Sequence, residues 1–78
     1  QIAVNFMRRK NKSGDVLRYF KDVKELLAII ESALKEDNIE INEENILKVV
    51  NLKFDKADIK WKGCDWGFNG LIKDFNNL

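Results

Sequence analysis

Residues 22–37, DVKELLAIIESALKED, are the stretch from which the rest of the chain takes its frame. Counted from Val23, the apolar residues Leu26, Leu27, Ile30, Ala33 and Leu34 recur at the spacings of a single helical face, while Lys24, Glu31, Ser32 and Lys35 fall on the other side. Asp22 with Glu25 three residues on makes a capping box that starts the helix. Ile29 widens the apolar stripe, which suits packing on a sheet face better than a narrow coiled-coil seam. Glu36 and Asp37 stand in the last turn, where the helix dipole favours cations, so one local rule is broken there.

Outward from this helix the period changes to two. In residues 2–9, IAVNFMRR, the side chains of Ile2, Val4 and Phe6 alternate with Ala3, Asn5 and Met7, the pattern of a strand. The KNKSG turn follows, in which Gly14 supplies a positive φ, and Asp15 to Phe20 then reads as a second strand. After the helix Asn38 is placed to take a left-handed cap, and Asn42 to cap a short helical turn from Glu43 to Leu47. Val50, Leu52 and Phe54 alternate with Asn51 and Lys53, residues 55–58 turn, and Ile59 and Trp61 alternate with Lys60 and Lys62, giving a second hairpin. Leu71, Ile72, Phe75 and Leu78 have helical spacing. The predicted fold is a single α+β domain over residues 1–78, in the order β-β-α-(α)-β-β-α. An antiparallel sheet of two hairpins would lie under one main helix, with a short helix at the C-terminal end.

At 78 residues the chain buries only about 60–65% of its unfolded surface, and a stability of about 4–12 kcal/mol is expected. Hydrophobic residues at 45% and charged residues at 35% are ordinary for a folded domain. No apolar run is long enough to span a bilayer, so no membrane partner is expected. A lone cysteine, Cys64, forms no internal disulfide and fits a reducing, cytoplasmic setting. Without histidine, Cys64 has no imidazole base, and the common zinc sites cannot be assembled, so neither metal, cofactor nor enzymatic activity is expected.

The net charge of +1 conceals three blocks. Residues 1–24 carry seven cations against two carboxylates, a net +5; residues 25–45 carry seven carboxylates against one lysine, a net −6; residues 46–78 are +2. Arg8, Arg9, Lys10 and Lys12 at the first turn, with Tyr19 to stack on a base, form a candidate grip on nucleic acid. The plain reading, a solvated hairpin tip whose charges protect a sheet edge, is favoured by the mild pI and the lack of any RNP or KH pattern. Glu36, Asp37, Glu40, Glu43 and Glu44 form an acidic patch able to receive a basic protein surface, to imitate nucleic-acid phosphates, or to pair with the basic hairpin of a second copy. Trp66 and Phe68 lie among Gly63, Gly67 and Gly70, where flexible backbone can present aromatic anchors to a partner, although small domains more often fold such rings over their core.

The sequence therefore points to a small non-enzymatic regulatory protein, cytoplasmic, that modulates a macromolecular partner through the acidic patch and the Trp66–Phe68 loop. Its composition, rich in Lys, Asn and Ile and lacking Pro, is that of an AT-rich genome. A phage or mobile-element regulator, including an inhibitor of a nucleic-acid-handling enzyme, is the concrete expectation. A nucleic-acid binder using the basic N-terminal hairpin is the alternative, and homo-oligomers are compatible with the charge blocks.

Overall fold

The computed structural model describes residues 1–78 and contains no strand. Four helices, α1 (Ile2–Arg9), α2 (Phe20–Glu36), α3 (Glu43–Lys60) and α4 (Phe68–Lys73), carry the fold, with 3-10 turns at Val16–Tyr19 and Phe75–Asn77. The expected α+β architecture is overturned: the first hairpin is α1 followed by a loop and a 3-10 turn, and the second is part of one uninterrupted helix.

The reason lies in which period wins. Ile2, Val4 and Phe6 do alternate, but Ile2, Ala3, Phe6 and Met7 also recur at the i, i+1, i+4, i+5 spacing of one helix face, and it is Ile2, Phe6 and Met7 that are buried. A strand would have put Phe6 and Met7 on opposite sides. Arg8 and Arg9 then fall in the last turn, where the dipole favours cations. Along α3 and its C-cap the buried and half-buried residues Ile46, Leu47, Val50, Phe54, Ala57 and Trp61 keep helical spacing over four turns. Leu52 and Ile59, which gave the illusion of alternation, are both exposed. The supposed turn at residues 55–58 is mid-helix, and its Ala57 is fully buried.

Helix ends follow local chemistry. Asn42 caps α3, its Oδ1 accepting from the Asn45 N–H at 2.8 Å, so the cap foreseen for one short turn starts an 18-residue helix. Asn42→Ala is expected to cost about 0.5–2 kcal/mol in urea unfolding, against near zero if it closed only a frayed turn. α2 begins at Phe20, two residues before the predicted cap; Asp22 sits inside its first turn, and Asp15 instead caps the preceding 3-10 turn by accepting from the Leu17 N–H at 3.0 Å. Asn11 (φ 54°) and Asn38 (φ 58°) close α1 and α2 in the left-handed conformation. In each case the next amide bonds back across the turn, Lys12 N–H to Met7 O at 2.8 Å and Ile39 N–H to Leu34 O at 2.9 Å.

All 14 buried residues are apolar and form one cluster. α2 and α3 each touch every other helix. α1 and α4 cover the space the two long helices leave, and α1 meets the 3-10 turn before α2.

Candidate functional site

The core that positions every surface element is aromatic. The Phe6 ring centroid lies 4.3 Å from Phe68, 5.3 Å from Tyr19, 5.7 Å from Trp66 and 6.0 Å from Phe54. Trp66 is 7% exposed and Phe68 3%. The glycine-flanked segment folds inward, because α1 is a helix that presents Phe6 to both rings and because the Trp66 indole N–H finds an acceptor, Asp58 Oδ1, at 2.8 Å. The aromatic loop is thus not an exposed anchor, and Trp66 and Phe68 serve the core. Tyr19 is also buried, with its hydroxyl lacking a hydrogen-bond partner, so it offers no face to a base.

The four predicted phosphate-gripping cations stand at the C-terminal end of α1 and in the loop after it, but three of them are engaged. One Arg9 guanidinium nitrogen lies 2.8 Å from Asp55 Oδ1 and 2.8 Å from Asp58 Oδ2 on α3. Lys10 lies 3.3 Å from Asp65 and 4.1 Å from the centroid of the Trp66 ring, and Lys12 is 3.6 Å from Asp65. Only Arg8 is left without an ion pair. For Asp58, partial burial disfavours the charge, but hydrogen bonds from Arg9 and Trp66, aided by the charges of Arg9 and Lys10, outweigh it and hold the carboxyl below the usual range. Asp65 is held low by the Lys10 hydrogen bond and the charges of Lys12 and Lys10. Burial likewise works against the Arg9 charge, and its bonds to Asp58 and Asp55 overcome that and raise its pKa. These contacts tie α1 to α3 and to the Trp66 segment; cations already neutralised contribute little to phosphate binding.

The acidic patch is exposed throughout, and the structure divides it. Glu43 and Glu44 occupy the first turn of α3, where the dipole favours them, and Glu44 is 3.7 Å from Lys48 one turn on. Glu40 accepts from the Asn42 side-chain amide at 3.1 Å and, through its carbonyl, from that of Asn45 at 2.8 Å. Glu36 and Asp37, at the end of α2, stay uncompensated by any ion pair.

What the sequence reading missed is apolar. Leu17 is 69% exposed, Phe20 63% and Val16 40%, side by side at the 3-10 turn and the start of α2. With Val4 of α1 and Val23 of α2 they line a cleft of 180 Å³. Val4 and Val16 also line a neighbouring 390 Å³ cleft bordered by Arg8 and Lys12. Gln1 and Val23 in turn line a 320 Å³ cleft between Leu27, Ile46 and Leu47 that reaches Asn42 and Glu43. Lys21 and Lys24 sit on the same turns of α2 as Phe20 and Val23, and neither has an acidic partner in the chain. A signal for this surface was present: the supposed strand at residues 15–20 carried large apolar residues on both faces, more than one sheet face can bury.

The surface defines a small four-helix domain with an exposed, basic-rimmed apolar strip. The chain matches no protein-family model, no curated protein and no solved structure. No helix is long and apolar enough to cross a membrane.

Proposed function

We propose that this chain is a non-enzymatic interaction module that works in the cytoplasm by binding a protein partner on the apolar ledge of Val4, Val16, Leu17, Phe20 and Val23. The observation that carries this reading is the exposure of Leu17 and Phe20. In a domain that has packed 14 apolar residues into one core, two large side chains left about two-thirds in water beside a cleft form the kind of contiguous patch that marks an interface. Unpaired Arg8, Lys21 and Lys24 around it supply the polar rim that such interfaces have. Regulation of a larger enzyme or complex is the role this suits, since the domain offers a docking face and its charged clusters near α1 serve its own packing.

Leu17→Asp with Phe20→Asp tests the proposal. Both positions are exposed, so the helical circular dichroism and urea midpoint are expected to stay close to wild type. Wild-type protein immobilised against a nuclease-treated bacterial lysate is expected to retain a partner that the double variant loses by 10–100-fold, as fits removal of a central aromatic anchor. Retention that requires nucleic acid, or that is equal for both proteins, would sink the reading.

A further inference from the structure

We infer that the occupant of the strip is an amphipathic helix of the partner, lying in one direction only, with its N-terminal end at Glu43 and an acidic C-terminal half at Arg8 and Lys12. The inference rests on the interaction reading above and adds the partner's conformation, charge order and polarity. All regular elements of this chain are helices, so it offers no sheet edge on which an extended peptide could hydrogen-bond. A segment entering the apolar middle of the strip, lined by Val4, Leu17, Phe20 and Val23, must satisfy its own N–H and C=O groups, and a helix does so.

Three clefts that share Val4 and Val16 on one side and Gln1 and Val23 on the other make a run of neighbouring apolar surface. It follows α1, whose eight residues rise about 12 Å, the length of roughly two turns of a bound helix, and continues to Asn42 and Glu43 at the start of α3. The two ends of this run differ in sign. Arg8 and Lys12 border one end, with Lys12 partly neutralised by Asp65 at 3.6 Å and Arg8 unpaired. Glu43 borders the other, beside Glu44 and Glu40. The positive N-terminal end of α3 offsets only part of these carboxylates, and Lys48 reaches Glu44 rather than Glu43. Lys21 and Lys24, both exposed, each follow a lining residue of the middle cleft, Phe20 and Val23, in sequence. A bound helix has a positive N-terminus and a negative C-terminus, so its dipole and an acidic C-terminal half both match this order, and the reverse orientation opposes both.

A displayed library of random 16-residue peptides, selected against the full chain, tests this. Enriched peptides are expected to share apolar residues at i, i+3, i+4 and i+7, with Asp or Glu in the C-terminal half. Their binding should fall at least tenfold on Phe20→Asp and on Arg8→Glu, and a synthetic peptide with its charges exchanged end for end should bind at least tenfold more weakly. Leu17→Asp serves as a second probe of the same surface, with unchanged helical circular dichroism required of each variant. Peptides that depend on Phe20 but are indifferent to Arg8 and to charge order would overturn the inferred pose and leave the interaction reading standing. Selection of nothing, or only of peptides insensitive to Phe20→Asp, would overturn the inference, while the interaction reading stands or falls on the lysate retention of the Leu17→Asp, Phe20→Asp variant. Concentration-dependent self-association abolished by Phe20→Asp would make a second copy the occupant, and would equally overturn the inference.

Discussion

Phe6→Ala should remove about 3–5 kcal/mol of stability, a large share of the about 4–12 kcal/mol expected of a domain this size. Phe6 is 2% exposed and its ring contacts those of Tyr19, Phe54, Trp66 and Phe68, contributed by three other parts of the chain. Truncation removes the transfer free energy of the ring and leaves a hole between four rigid neighbours that cannot all move in at once. For a domain this size the denaturant slope is about 1 kcal/mol/M in urea, so the midpoint should drop by about 3 M or more. Met7→Ala makes the comparison diagnostic of the helix. Met7 is 8% exposed on the same face, and its truncation should cost about 2–5 kcal/mol, whereas on a strand Met7 would face away from Phe6 and the change would be nearly silent. Val4, half-exposed on the outer side of α1, is the control expected to lose under about 1 kcal/mol. A silent Met7→Ala beside a costly Phe6→Ala would contradict the helical assignment of residues 2–9.

The same residues explain how far the sequence could be read. α2 was legible because its five stripe positions satisfy a period of 3.6 and no other, and Asn38 and Asn42 were legible because their side chains do specific work at helix ends. Residues 2–7 were not, since IAVNFM contains both a two-residue and a 3.6-residue pattern and only tertiary burial of Met7 decides between them. Residues 49–61 misled for a different reason. Leu52 and Ile59, apolar yet exposed, supplied a false alternation that outweighed the longer helical series from Ile46 to Trp61. The site inherited these errors. With α1 as a strand, Arg8 to Lys12 formed a free basic tip; as a helix end it meets Asp55 and Asp58, two residues three apart on one face of α3. Once Phe6 pointed inward from a helix, Trp66 and Phe68 had a surface to cover, and the aromatic loop closed on it. The apolar ledge was hidden because a strand over residues 15–20 puts Leu17 and Tyr19 on one face, whereas the 3-10 turn buries Tyr19 and leaves Leu17 outside.

Asp58 is where these threads meet, and Asp58→Ala is expected to cost about 2 kcal/mol. One of its oxygens accepts the Trp66 indole N–H and the other the Arg9 guanidinium, each at 2.8 Å. Most of the loss comes from the indole donor, left without a partner in a residue that is 7% exposed, a penalty of about 1–3 kcal/mol. The ion pair adds under about 1 kcal/mol, because the Asp58 side chain is 44% exposed and Arg9 keeps Asp55. Asp58→Asn separates the two: its amide oxygen can still accept from Trp66, so it should cost less than half as much as Ala and leave the tryptophan emission near its wild-type wavelength. Acid titration gives an independent reading. The folded chain holds Asp58 and Asp65 below the unfolded carboxyl value of about 3.9, so on acidification the unfolded chain takes up protons first. Their contribution is therefore fully present above about pH 5, falls as the pH drops through about 4, and is gone once the folded groups are also protonated. Urea midpoints taken from pH 6 down to pH 2 should fall along this arm, less steeply in Asp58→Asn, and less steeply again for both proteins at 1 M salt, where the exposed Asp65 pairs with Lys10 and Lys12 are screened. An acid arm identical in wild type and Asp58→Asn would mean that the Arg9–Asp58–Trp66 contacts do not hold α1, α3 and the aromatic segment together in solution.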